Sequence, residues 1–141
     1  MPAALTEDDV VRAAGALVAA FAATDTEAYF AAFAEDATFV FHTEPHRLED
    51  RAAYEALWRS WLEAGWRVLE CRSTAARVQV LGSVGVFTHD VRTTVRTPDG
   101  PETTHERETV VFARRDSGAL LAVHEHLSPA VLPTTSAQEG R

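Results

Sequence analysis

The chain has 141 residues, 46 % of them apolar and 24 % charged, and a formal net charge of −8. That is the make-up of one globular domain of ~100–150 residues, large enough to bury a core without a disulfide or metal staple. The acidic balance disfavours nucleic acid and anionic membrane surfaces as partners, because both would repel it. In chain order, Thr6 and Asp9 form a capping-box start, and Val10, Val11, Ala14, Leu17, Val18 and Phe21 follow at helical spacing, predicting a helix over about 7–22. Thr24-Asp25-Thr26 offers a break and a second cap, and Tyr29, Phe30 and Phe33 carry a short helix to about 34. Ala37-Thr38-Phe39-Val40-Phe41 is β-branched and aromatic and predicts a strand, followed by a loop through Pro45. From Asp50, the residues Tyr54, Leu57, Trp58, Trp61 and Leu62 lie at i, i+3/i+4 and i+7/i+8, an amphipathic helix that Gly65 ends. Strands are predicted over about 66–81, 84–97, 103–114 and 119–127, with Gly-containing turn sequences at Pro98-Asp99-Gly100-Pro101 and Asp116-Ser117-Gly118.

Helices first and an antiparallel meander after predict an α+β fold. The expectation is a single domain over 1–133, a cone-shaped, curved antiparallel sheet wrapped by three N-terminal helices, with a flexible tail at 134–141. A cone of this kind leaves an apolar pocket suited to a small organic molecule. No run reaches the ~18 apolar residues of a membrane span, and the acidic first residues do not read as a signal peptide, so a cytoplasmic location is expected. The lone Cys71 cannot form an internal disulfide and is expected as a small buried thiol. All 13 basic residues are arginine, which with the abundant alanine reads as the codon bias of a GC-rich bacterial genome.

Three stretches carry a family resemblance. They are Thr24-Asp25-Thr26-Glu27-Ala28-Tyr29 with Asp36-Ala37-Thr38-Phe39, then Glu55-Ala56-Leu57-Trp58, and finally Arg107 to Asp116 continued by Val123-His124-Glu125-His126-Leu127-Ser128. With the element order they resemble the nuclear transport factor 2-like (SnoaL-like) superfamily. The last stretch, with Ala130-Val131-Leu132-Pro133 after it, is similar to the association (hub) domain of calcium/calmodulin-dependent protein kinase type II. The resemblance implies a pocket inside the cone and a homodimer through the outer sheet face. It also marks departures. The hub pocket binds carboxylates through arginines and a histidine, but the matching positions here are Val110, Leu127 and Asp50, so the anion clamp is missing. Trp58 matches the pocket tryptophan, and Phe41 stands where steroid-isomerase relatives place a catalytic aspartate.

If Val110 and Leu127 face inward, strand alternation turns Glu108, Phe112, Val123 and Glu125 inward too. Two carboxylates would then enter a pocket lined by Phe39, Phe41, Tyr54, Trp58 and Trp61, where desolvation raises a carboxyl toward acid–base use near neutral pH. The plainer alternative pairs Glu108 and Glu125 with arginines such as Arg92 in a structural network. His42, directly after the first strand, is either a loop residue at the pocket mouth or an assisting acid or base. His89 and Asp90 are adjacent on a strand, so one of them faces the pocket, and parity does not decide which. His124 and His126 share the opposite face from Glu125, as dimer-interface residues or as a pair on a metal. The sequence has no Gly-rich phosphate loop, G-x-S-x-G, H-E-x-x-H or paired C-x-x-C, so no cofactor and no metal are expected. Two functions fit. One is a cofactor-free acid–base enzyme (isomerase, cyclase or dehydratase) acting through Glu108 and Glu125 with His42 or His89. The other is a non-catalytic dimeric binding or assembly module.

Overall fold

A computed structural model gives the structure of the protein and describes residues 4–131. Leu132, Pro133 and the predicted tail at 134–141 lie outside them. The elements run α1 (Glu7–Ala22), α2 (Thr26–Ala31), β1 (Phe33–Phe41), α3 (Arg51–Glu63), β2 (Arg67–Leu81), β3 (Val84–Thr97), β4 (Gly100–Arg114) and β5 (Leu120–Pro129). They form one α+β domain. The five strands make one sheet in the order β1-β5-β4-β3-β2, and no strand pair closes it into a barrel. β2 to β5 are the predicted antiparallel meander. β1 adds to its far edge and runs parallel to β5, which the sequence did not reveal.

Local chemistry fixes the helix ends. Thr6 Oγ1 accepts from the Asp9 amide and the Asp9 carboxylate accepts from the Thr6 amide, so both halves of the capping box are present. Asp25 and Asp50 cap α2 and α3 by accepting from Ala28 and Ala53. Gly65, at φ +96°, takes the left-handed conformation that ends the chain's turn out of α3. Helix α2 stops at Ala31, short of the predicted 34, and β1 starts at Phe33 rather than Ala37. The reason is Ala32, whose carbonyl accepts the Ala122 amide at 2.9 Å and recruits the chain into the sheet. Between α1 and α2 the β-branched Thr24 sits at φ 52°, a strained value for such a residue. Its hydroxyl accepts from the Val68 amide at 3.0 Å and so ties the turn to β2.

Irregularities bend the sheet. β2 breaks register between Val68 and Glu70 and again between Thr74 and Arg77, and β5 carries an extra residue at Val123. The concave side closes on α1 and on the aromatic face of α3. Trp58 stacks on Tyr29 with ring centroids 4.9 Å apart, and its indole N–H donates to Thr26 Oγ1 at 2.9 Å. Helix α1 crosses β3 at Gly85. A Cβ there would lie 2.5 Å from Cγ2 of Val10, which is fully buried. Val10 is β-branched and cannot swing aside cheaply. Gly85→Ala is therefore expected to lower the melting temperature, at a cost of ~1–3 kcal/mol for overpacking. Thermal denaturation of the single variant measures this directly.

Candidate functional site

Between the concave sheet face and helices α1 and α3 lies a cavity of about 310 Å³. That is the lower end of the ~300–1,000 Å³ typical of small-molecule sites. Its walls are mostly apolar, and its polar groups gather on the sheet. Register explains how. His89 on β3 lies directly opposite Glu108 on β4, Ser73 of β2 sits diagonally beyond His89, and Glu125 of β5 sits diagonally beyond Glu108. Neighbours of this kind have side chains within reach of each other. The result is a chain of polar groups with one residue from each of four adjacent strands.

The links are short. Ser73 Oγ lies 2.5 Å from His89 Nδ1, and His89 Nε2 lies 2.6 Å from Glu108 Oε1. A carboxylate only accepts, so Nε2 carries the hydrogen donated to Glu108. The Glu108 and Glu125 carboxyls are neighbours that push each other's protonation in opposite directions. Glu125 is the one driven toward its protonated form. Burial raises its carboxyl well above the usual 4.5, and the Glu108 charge and the hydrogen bond to it push the same way. Burial acts upward on Glu108 too, but hydrogen bonds from Glu125 and His89 and the His89 charge outweigh it and hold Glu108 below 4.5. Two carboxyls of one residue type are thus split into an acid and a carboxylate. Glu125 is 4 % exposed, and its Oε1 has no hydrogen-bond partner among the described residues.

Above Glu125 stand Tyr29 and Tyr54, with hydroxyl oxygens 2.9 Å apart. Burial first, and then the Glu125 carboxyl, push both phenols well above the usual 10, so both stay neutral. One hydroxyl hydrogen is used between them. The other is free to be donated. At the rim, His42 Nε2 lies 2.6 Å from Oε2 of Glu106, which lines the cavity.

The predicted residues divide. Glu108, Glu125, His89, Phe41, Tyr54, Trp61 and Leu127 line the cavity. Phe39, Trp58, Val110 and Phe112 do not. All four are buried to 1 % exposure or less and form the packing behind the wall. The aromatic stripe of α3 is wider than the cavity, so only the side of it facing the sheet is pocket. His42 does not line the cavity either and acts on it through Glu106. Between His89 and Asp90, His89 faces inward at 3 % exposure and Asp90 is exposed. Val123 is not inward, because the β5 irregularity puts Ala122, not Val123, opposite Phe112. Among the described residues no arginine pairs with Glu108 or Glu125, and Arg92 instead reaches the exposed Glu70, 3.7 Å away. Cys71 lines the cavity half-buried, and burial pushes its thiol up, which suits an unreactive thiol. His124 bonds to Thr38 at 2.8 Å and His126 is exposed. Among the described residues no group of three His, Cys, Asp or Glu side chains is placed to hold a metal ion.

Sequence reasoning missed Glu106, Tyr29 and Ser73 as site residues. Glu106 was within reach, since it is two residues from Glu108 and alternation turns it the same way. Ser73 was not, because the two register breaks in β2 scramble its parity.

A SnoaL-like domain family matches residues 10–132 of the chain. No functionally curated protein matches its sequence. Among solved structures, the chain is similar to an NTF2-like protein of unknown function in nutrient uptake from Rhodospirillum rubrum, with a TM-score of 0.75 and 21 % identity over 88 % of this chain and 100 % of that one. It is similar to the S. rosetta CaMKII hub, with a TM-score of 0.74 and 21 % identity over 92 % and 100 %. A candidate dehydratase of the NTF2-like family from Streptomyces avermitilis gives 0.73 and 17 % over 89 % and 97 %. At these identities the structures speak for the fold alone. With the family match spanning nearly the whole chain, this protein belongs to the SnoaL-like (NTF2-like) family.

Proposed function

We propose that the protein is a cofactor-free acid–base enzyme acting on a small, largely apolar organic molecule, by isomerisation, cyclisation or dehydration. The observation that carries this is the unlike pair lining the cavity: a buried Glu125 pushed toward its protonated form, beside a Glu108 that accepts from His89 and is drawn toward its ionised form. The pair begins with one proton between two carboxyls and can end with one. In a dehydration, Glu108 removes a proton from the carbon beside a carbonyl. Glu125 then protonates the departing hydroxyl, and water leaves. In an isomerisation the same two groups take a proton from one carbon and return one to another. The free hydroxyl hydrogen of the Tyr29–Tyr54 pair would meet negative charge building on the carbonyl oxygen. A neutral donor in a water-poor site is strongest there.

The test is deuterium exchange in D₂O with a cyclic enone and a β-hydroxy ketone, followed by NMR. Wild-type protein should incorporate deuterium beside the carbonyl faster than buffer, and Glu125→Gln should lose the excess by a factor of ~10²–10⁴. Equal exchange by both proteins, or none by the wild type on either compound, would sink the acid–base reading.

A binding or assembly role is the second reading, supported by the hub relative and by the outer sheet face. Val86, Val111, His124 and Thr38 lie side by side across β3, β4, β5 and β1 on that face, away from the helices. The reading includes a cytoplasmic homodimer formed through this face. Sedimentation equilibrium should then find a dimer, weakened by about 1–2 kcal/mol when His124 and His126 are both changed to Ala. An unchanged dimer constant would remove the two histidines from the interface.

A further inference from the structure

The chain of polar groups on the sheet ends on an exposed serine. Ser73 Oγ lies 2.5 Å from His89 Nδ1, and His89 Nε2 lies 2.6 Å from Glu108 Oε1. Nε2 carries the hydrogen that Glu108 accepts. Nδ1 of the neutral imidazole then holds only a lone pair, so the Ser73 hydroxyl donates to it. This is the order of a hydroxyl nucleophile, its general base and the acid that orients the base. The two ring nitrogens have exchanged their usual places, but each can take a proton while the other donates. His89 is buried and held by its partners, whereas Ser73 is exposed and open to a reactant. The proposed proton transfers at Glu125 do not involve Ser73.

The backbone beside this serine is irregular. Thr74 pairs with Asp90 and Arg77 with Thr88, so Ala75 and Ala76 together oppose His89 in a β-bulge. Ala75 sits at φ 55°, in the left-handed region that strains a residue with a side chain. Bulges re-aim the side chains next to them, and strain of this kind gathers at active sites. The chain lacks the G-x-S-x-G turn that presents a serine in many hydrolases, and the bulge after Ser73 supplies a different irregularity at the same place. Val91, which pairs with Ser73, and Cys71, two residues before it, both line the cavity. Ser73 therefore stands at the cavity edge, where an apolar chain inside would bring an attached carbonyl to its hydroxyl. β2 is an edge strand, so the N–H groups on its free side have no strand partner and can meet the oxyanion of a tetrahedral intermediate.

We propose that Ser73 is a nucleophile activated by His89 and Glu108, and that it takes the acyl group of a small apolar carboxylic ester. Ser73 Oγ bonds to the carbonyl carbon as its proton passes to His89 Nδ1, and the Glu108 carboxylate faces the imidazolium through Nε2–H. The carbon–oxygen bond to the alcohol breaks, and the proton on Nδ1 leaves with the departing oxygen. Water then attacks the acyl-serine. One of its protons passes to Nδ1 and on to Ser73 Oγ, and the carboxylic acid is released. Ester and water become acid and alcohol, and nothing is oxidised or reduced. This activity goes beyond the isomerisation, cyclisation or dehydration proposed above. It shares His89 and Glu108 with that chemistry and does not use Glu125.

The experiment treats the full chain with phenylmethylsulfonyl fluoride near neutral pH, reads the intact mass and maps the labelled peptide. Hydrolysis of p-nitrophenyl butyrate is followed alongside. The wild type should gain a single phenylmethylsulfonyl group, on Ser73, and lose its hydrolysis as the label accumulates. Ser73→Ala should take no label at that peptide and hydrolyse the ester ~10²-fold or more slowly. Because Ser73 is exposed, the variant should melt close to the wild type, which thermal denaturation checks. No label, a label confined to other residues, or a folded Ser73→Ala that hydrolyses the ester as fast as wild type would overturn the proposal. The two readings fail separately. Absence of the Ser73 label with Glu125-dependent deuterium exchange intact removes only the serine chemistry. A labelled Ser73 with exchange indifferent to Glu125→Gln removes the isomerase, cyclase or dehydratase and leaves an esterase.

Discussion

Glu125→Gln should inactivate the protein and yet make it more stable, increasingly so as pH rises. In the native state burial and the Glu108 charge hold the Glu125 carboxyl protonated well above 4.5. In the unfolded chain it titrates normally. The stability this group contributes is therefore whole below about 4.5 and is lost progressively as pH climbs from there through the raised native value. Each pH unit in that window is worth ~1.4 kcal/mol, or about 4 °C of melting temperature in a domain of this size. Glutamine keeps the shape and a donor toward Glu108 but has no proton to lose. The wild type should melt lower at about pH 7 than at about pH 5 from this cause, while the variant should show that part of the decline removed. Glu108 works in the opposite sense and in another window. Its lowered carboxyl contributes stability above about 4.5, lost as pH falls through its native value. The two effects do not overlap, so thermal scans across pH separate them. Parallel pH profiles for wild type and Glu125→Gln would mean that Glu125 is not held protonated, and the acid would be gone from the mechanism.

Much of this arrangement was legible in the residues. Periodicity placed α1 and α3 because their apolar stripes are long and their caps are explicit: Thr6 with Asp9, and Asp50. The resemblance turned Val110 inward, and alternation then turned Glu108 inward with it. What failed had geometric causes. Alternation assumes an unbroken strand, and one extra residue at Val123 exchanges the roles of Ala122 and Val123. A helical stripe says which side chains are buried but not whether they meet a void or another ring. Trp58 has the same spacing as Trp61, yet Tyr29 and Phe30 lie against it and none of its surface reaches the cavity. The parallel β1–β5 pairing was invisible because it joins the first strand to the last, with no local turn to announce it. His89 against Asp90 could not be settled by counting, since valines support both registers on β3. Packing settled it: His89 lies against Phe87, ring centroids 4.6 Å apart, and opposite Glu108.

That placement makes His89 the residue whose loss should harm the fold most. Its side chain is fully buried, and the Glu108 side chain that it bonds is 14 % exposed. His89→Leu would remove the N–H donor and leave the Glu108 carboxylate with Glu125 alone. Removing one member of a buried pair commonly costs ~3–5 kcal/mol, because the remaining charge is uncompensated. The variant should lose that much by chemical denaturation above about pH 5. Glu108 would lose the hydrogen bond and the charge that lower its carboxyl, so the difference from wild type should shrink as pH falls from about 4.5 through the lowered native value, below which both forms are protonated. The double variant His89→Leu with Glu108→Leu decides between a packing defect and a charge defect. If the single variant suffers from an unpaired carboxylate, removing Glu108 as well should restore most of the stability. If the imidazole merely fills space beside Phe87, the second substitution should bring no recovery. The same pair tests the mechanism from the other side. A Glu108 no longer held ionised would compete with Glu125 for the one proton between them, and the division into acid and base on which the proposed chemistry depends would be lost.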